Sequence, residues 1–168
     1  PEELLAEYGD VLKDALVVVP ASDPGLSMTF SANGSVDILV VGGGGGTFPN
    51  SGGGGAGGLL TVLDAYTPVG QVNITVGQGV PSSPAAAGPN AFASHFGAYY
   101  SPGGDGPYDR KAFASQGGSG AGGSYGSFPG TYGIPGLGHN GGAGASSGAS
   151  GGGGGGTAAG EDAPLTST

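Results

Sequence analysis

Glycine decides what this chain can become. It fills 43 of 168 positions, much of it in the runs Gly42 to Gly46, Gly52 to Gly55 and Gly151 to Gly156. Each glycine loses more backbone freedom on folding than any other residue and brings no side chain to bury. An ordinary apolar core does not easily offset that loss. Either such runs remain disordered linkers, or main chain packs directly on main chain. The first outcome makes a tether, the second a stiff structural body.

Together, 43 glycines and 13 prolines make up a third of the chain, a share typical of low complexity. The remaining residues argue against that class. The hydrophobic fraction is 36% and the charged fraction only 9%, whereas disordered chains combine high charge with low hydrophobicity. The chain reads as one domain with a short appendage.

The net charge is −9, and Lys13, Arg110 and Lys111 are the only Lys or Arg residues. No basic stripe exists to neutralise phosphates, so nucleic acid is excluded as a partner. Anionic membrane surfaces fit equally badly. There is no cysteine, hence no disulfide, thiolate metal site or cysteine nucleophile. No apolar run is long enough for a membrane helix, so no membrane insertion is expected. The first residue, Pro1, reads as the start of a fragment or of a mature form whose leader has been removed.

Residues 2–14 differ from all that follows. They carry Glu2, Glu3, Glu7, Asp10 and Asp14, while Leu4, Leu5, Tyr8, Val11 and Leu12 recur at the spacing of a one-faced helix. Two readings stand: a frayed terminal helix, or an arm that docks on a neighbour. Ala15 to Val19, stopped by Pro20, reads as a strand. Leu26, Met28 and Phe30 alternate with Ser27, Thr29 and Ser31, and Val36 to Val41 is the most apolar stretch. Asn33-Gly34 between them is a tight-turn signal, so residues 26–41 are expected to form a β-hairpin. Leu59 to Leu63 and the alternating Val72, Ile74 and Val76 add strands, and residues 80–90 read as loop.

A physical route lets glycine runs fold. Polyproline-II geometry has three residues per turn and no internal hydrogen bonds. Without side chains, coils of this kind can approach closely and pair their backbone groups laterally. Residues 42–58, 117–123 and 141–156 have the composition for it. The expected fold is mostly β: a small β-sheet or sandwich with packed polyglycine-II-like segments. A short helical or extended arm (1–25) precedes the glycine-rich β domain (26–168).

Catalytic patterns are absent. Val40-Val41 followed by Gly42 to Gly46 imitates a dinucleotide site, but Pro49 and Gly52 forbid the helix such a site needs. His95 and His139 lie in separate segments without a third ligand at metal spacing and are expected on the surface. Gly117-Gly118-Ser119-Gly120 lies inside a glycine run rather than on a nucleophile elbow. Asp105 and Asp109 read as a solvated loop lacking the calcium pattern. No enzyme activity, cofactor or metal is expected. Asn33 and Asn73 sit in glycosylation acceptor tripeptides. Tyr99, Tyr100, Tyr108, Tyr125, Phe128 and Tyr132 lie in Pro- and Gly-rich loops. These rings either cap the glycine packing or contact a receptor, since tyrosine suits interfaces.

Met28-Thr29-Phe30, Val36 to Gly46, Gly52 to Val62, Val72 to Gly79 and Gly88 to Gly97 together resemble the glycine-rich domain of bacteriophage tail and receptor-binding proteins. The resemblance spans about residues 28–160. It implies an extracellular or virion-borne structural protein or adhesin, with some relatives packing their glycines as polyglycine helices. That domain usually closes on an apolar C-terminal strand, but this chain ends Glu161-Asp162-Ala163-Pro164-Leu165-Thr166-Ser167-Thr168. A missing strand leaves an open sheet edge, a template for another chain.

The extra apolar run at Leu16, Val17, Val18 and Val19 then suggests strand addition: one subunit completes the sheet of the next. The alternative is pairing within its own sheet. With strand addition, Leu4, Leu5, Tyr8, Val11 and Leu12 join the run as subunit-contact candidates. The expected function is a self-assembling subunit of an extracellular filament or virion fibre, its main partner being itself. The alternative is a phage tail-tip adhesin, whose Tyr-rich loops bind a host surface glycan or protein.

Overall fold

The computed structural model describes residues 17–19, 25–84, 88, 90–107 and 116–165. Eight strands and no helix occur among them: β1 (Gly25–Phe30), β2 (Gly34–Val41), β3 (Leu59–Thr67), β4 (Gly70–Thr75), β5 (Ser94–Phe96), β6 (Tyr99–Ser101), β7 (Gln116–Gly117) and β8 (Tyr132–Gly133). The architecture is mostly β, as expected. β1-β4-β5-β6 form one antiparallel sheet, β2-β3 a second, and β7-β8 a short parallel pair.

The expected 26–41 hairpin is not present. β1 pairs with β4 and β2 pairs with β3, so Asn33-Gly34 carries the chain from one sheet to the other. Gly34 is not among the positive-φ residues, so the primed turn of a two-residue hairpin is absent. The Oδ1 of Asn33 instead accepts the N–H of Val69 at 2.8 Å. That bond ties the β1–β2 crossing to the return crossing between β3 and β4. β3 also runs to Thr67, past the expected end at Leu63. Val17 to Val19 are not in a strand, contrary to the reading of Ala15 to Val19; Ala15 and Leu16 lie outside the described residues, as does the arm before them.

Alternation sorts the second sheet into two faces. Ile38, Val40 and Ala65 are buried, with Val36, Leu60 and Val62 beside them. Phe96 and Tyr99 of the first sheet pack on this cluster, and Phe30 meets Phe96 edge-on at 6.5 Å. This core is small. Ile38, Val40, Phe48 and Ile74 are the large apolar side chains buried among the described residues, and at roughly 1.5–3 kcal/mol each they are too little to hold a chain of 168 residues. Most of the remaining order lies in the backbone.

The strands run on into the glycine segments without losing their partners. One residue beyond the Val41–Leu59 pair, Gly42 donates to Gly58 at 3.0 Å; beyond β4 and β5, Phe92 donates to Gln78 at 3.3 Å. Residues 117–124 run through the middle and are all buried. Ser119 and Gly122 donate to Ala56 and Gly53, while Gly120 and Gly123 donate to His139 and Gly142, at 2.7–3.0 Å. The carbonyls of Gly120 and Gly123 accept from Gly154 and Gly151 at 2.8 and 2.9 Å. Residues three apart therefore address the same neighbour, the repeat of a coil with three residues per turn.

Glycine is needed at these contacts. A methyl group on Gly120, Gly122 or Gly123 would overlap the carbonyl of Thr131, Gly151 or Phe128. Ser119 and Ala121 are admitted, both completely buried, and Ser119 Oγ donates to Gly155 O at 3.1 Å. The C-terminal end adds a last row, with Gly152 donating to Glu161 at 2.8 Å and Ala163 to Ala143 at 2.8 Å. It thus joins the glycine array rather than closing a sheet.

Candidate functional site

The tempting chemistry dissolves into this array. The N–H groups of Gly42, Gly43 and Gly45 are committed to Gly58, Phe92 and Gly55, so these three are not turned to a phosphate. Asp105 is not in a solvated loop. It is completely buried, because its main chain is a row of the array: Gly55 donates to its carbonyl at 2.9 Å and its N–H donates to Ser119 at 3.1 Å. Asp109 lies outside the described residues. His95 is half-buried on β5 with its ring 4.9 Å from that of Tyr100, while His139 is exposed. His139 borders an open groove of about 530 Å³ with Pro135, Asn140 and Ala159. The Oδ1 of Asn140 is occupied by the Gly133 N–H at 3.0 Å, and glycine backbone supplies most of the remaining lining.

The aromatic candidates separate. Tyr99 packs on the core, and Tyr125 and Phe128 are half-buried. Tyr100 and Tyr132 are exposed, on different sheets, and Tyr108 lies outside the described residues. Both acceptor asparagines are exposed: Asn33 is held at the crossing by Val69, and Asn73 lies on β4 with its carbonyl accepting from Gly97 at 2.9 Å.

Of the subunit-contact candidates, Leu4, Leu5, Tyr8, Val11, Leu12 and Leu16 lie outside the described residues. Val17 and Val18 are 54% and 73% exposed, and Val19 is half-buried. Six residues beyond Val19 begins β1, an outer strand of the four-stranded sheet. Its sequence, Gly25-Leu26-Ser27-Met28-Thr29-Phe30, contains no charge and no proline. Natural edge strands are usually blunted by one or the other. The edges of β2, β3 and β6 are blunted: β2 and β3 carry Asp37 and Asp64, and three-residue β6 runs into Pro102.

One surface was missed by the sequence reading. Leu39, Val41, Leu63 and Tyr66 all lie on the outward side of the β2-β3 ribbon and are 47–69% exposed. Their alternation with buried Ile38, Val40 and Ala65 was the available signal, since a two-stranded ribbon with both faces apolar buries only one of them here.

No curated protein and no solved structure matches this chain. Residues 22–168 match the family described as the glycine-rich domain. The rows of paired glycine backbone lie within the matched span, and the chain belongs to the glycine-rich domain family.

Proposed function

We propose that this protein is a non-enzymatic structural subunit that assembles with copies of itself into an extracellular filament or virion fibre. The glycine segments act as polyglycine-II-like coils forming a stiff body. The arm (residues 1–19) supplies the link by strand addition to a neighbour. One observation carries this reading: exposed Val17 and Val18, which lie in no strand among the described residues, precede an outer strand without charge or proline. An apolar donor and an unguarded acceptor in one chain describe a heterologous contact, which need not close and so propagates.

Negative-stain microscopy of the purified protein, with and without residues 1–19, tests it. Filaments from the full chain and none from the truncated one are expected. Filaments from both would remove the arm from the mechanism, and none from either would remove the assembly reading.

Exposed Tyr100 and Tyr132 favour a second reading, a tail-tip adhesin contacting a host glycan or protein. It expects discrete particles that bind cells and lose binding on Tyr100→Ala or Tyr132→Ala.

A further inference from the structure

The four-stranded sheet turns an uncharged face of amides, hydroxyls and one aromatic pair to solvent. We infer that this face binds a neutral polysaccharide, a sugar ring stacking on Tyr100 and its hydroxyls bonding to side chains of β4; this rests on the second reading above and names its ligand class.

The register builds the face. Ile74 is buried, and Phe96 and Tyr99 pack on the core, so their strand neighbours Thr75, His95 and Tyr100 point outward. Those three stand in one line across β4, β5 and β6. Two residues back along β4, Asn73 stands beside Ser27 of β1. With strands ~4.8 Å apart, the line from Thr75 to Tyr100 covers ~10 Å, and the run from Gln71 to Thr75 covers ~13 Å. This is an extended surface, suited to a chain of rings. The turn joining β5 to β6, Gly97-Ala98, carries no long side chain, which leaves the space between Tyr100 and Asn73 open.

Three properties select the ligand. The first is charge. The four strands contain no Asp, Glu, Lys or Arg, in a chain of net charge −9. Such a face suits a partner without charge, and the net charge of the chain repels an anionic one. The second is hydrogen bonding. Asn73 offers two amide donors and an acceptor, and Thr75 a hydroxyl. Both are exposed, and neither side chain is spent on a bond among the described residues. Gln71 Nε2 donates to Ser27 Oγ at 2.6 Å, which fixes a second amide on the same face. The third is the ring. Tyr100 is 48% exposed and is braced by His95, its centroid 4.9 Å away and its plane tilted by 59°. A braced tyrosine presents flat apolar area at small entropic cost. Sugars carry an apolar C–H face beside hydroxyls that both donate and accept, and this surface answers both. Strand addition at the β1 edge lengthens the sheet and leaves its face free, so a fibre of such subunits would repeat the site.

Binding of the full-length chain to biosensor surfaces coated with dextran, mannan, galactan or xylan tests the proposal, with polygalacturonate as the anionic comparison. Binding to at least one neutral surface is expected. Tyr100→Ala and Asn73→Ala should each weaken it ~10-fold or more at an unchanged melting temperature, since both side chains are exposed. Tyr100→Phe keeps the ring and should keep most of the binding, which separates stacking from a loss of fold. Tyr132→Ala, on a different sheet, should change nothing. No binding to any neutral surface, binding to polygalacturonate alone, or a loss with Tyr132→Ala and not with Tyr100→Ala overturns the proposal. Adhesion to cells separates it from the reading it rests on. Adhesion that survives Tyr100→Ala and is lost with Tyr132→Ala keeps the adhesin and sinks this site. Polysaccharide binding through Tyr100 without any adhesion sinks the adhesin and leaves the site.

Discussion

Asp37 Oδ1 accepts the backbone N–H of Asp64 at 2.9 Å, across the bulge where β3 holds one residue more than β2. Asp64 there has φ +52°, a left-handed conformation that costs most L-residues about 1–2 kcal/mol and that Asp tolerates better. The carboxylate of one strand therefore holds the irregularity of the other. Asp37→Ala is expected to lose about 1 kcal/mol, the scale of a single solvent-accessible hydrogen bond. Asp64→Gly should stay within about 0.5 kcal/mol of the parent, whereas Asp64→Val should lose about 1–2 kcal/mol. Urea denaturation of the three variants checks the order.

Substituting glycines separates backbone packing from mere flexibility. A methyl group on Gly122 would overlap the carbonyl of Gly151, whereas one on exposed Gly44 meets nothing within 4 Å. Gly122→Ala is expected to destabilise by about 1–3 kcal/mol or more, as overpacking does. Gly44→Ala should be neutral or stabilise by up to about 1 kcal/mol through the unfolded state. Equal melting temperatures for the two would mean that the rows do not carry stability.

Amide exchange reads the array directly. Gly122, Gly123, Gly142, Gly151, Gly152 and Gly154 each donate to another glycine row or to Glu161 at 2.7–2.9 Å. Their protons should exchange only on global opening, with protection approaching about 5 kcal/mol or more. The Gly44 proton, on an exposed residue, should exchange far faster. Free-peptide rates throughout 142–156 would return these runs to the linker class.

Adjacent residues of β2 should behave oppositely. Ile38 is buried in the small core and Leu39 points outward. Ile38→Ala is expected to cost about 2–5 kcal/mol. Leu39→Ala should change subunit stability by no more than about 0.5 kcal/mol. Thermal melts of the two variants decide it.

Assembly, as proposed, should strengthen with salt. A net charge of −9 makes copies repel. Raising ionic strength from about 0.1 M to 1 M shortens the screening length from about 10 Å to 3 Å. Light scattering should therefore report faster filament growth at high salt, and dissolution by salt would point to charge pairs instead of apolar contacts.

β1 to β4 were legible in the sequence because each carries a period-two pattern, as in Val72, Asn73, Ile74 and Thr75, or an apolar run, whereas β5 to β8, two or three residues each, are too short to carry either. The rows were legible as one of two outcomes, because glycine with only small residues between, as in 117–124, leaves either backbone packing or a linker. Pairing was not. Asn33-Gly34 resembles a hairpin turn locally, but Phe30 stacks edge-on against Phe96 in one sheet while Ile38 packs with Phe96 from the other, and that demand is not local. Asp105 was misread for a related reason. A charged residue between glycines looks solvated when neighbours are counted along the chain, yet in the array its neighbours are Gly55 and Ser119. The outward face of β2 and β3 went unseen because both faces of that ribbon are apolar, and sequence cannot tell which one lies inside.

The threefold addressing of Ser119 and Gly122 to one row, and of Gly120 and Gly123 to another, restricts how such a gene can change length. Losing a single residue from Gly117 to Ser124 would turn everything beyond it by a third of a revolution, presenting Ser119 or Ala121 where only a bare α-carbon has room. Insertions and deletions in these rows should be tolerated in steps of three amino acids, nine nucleotides at a time.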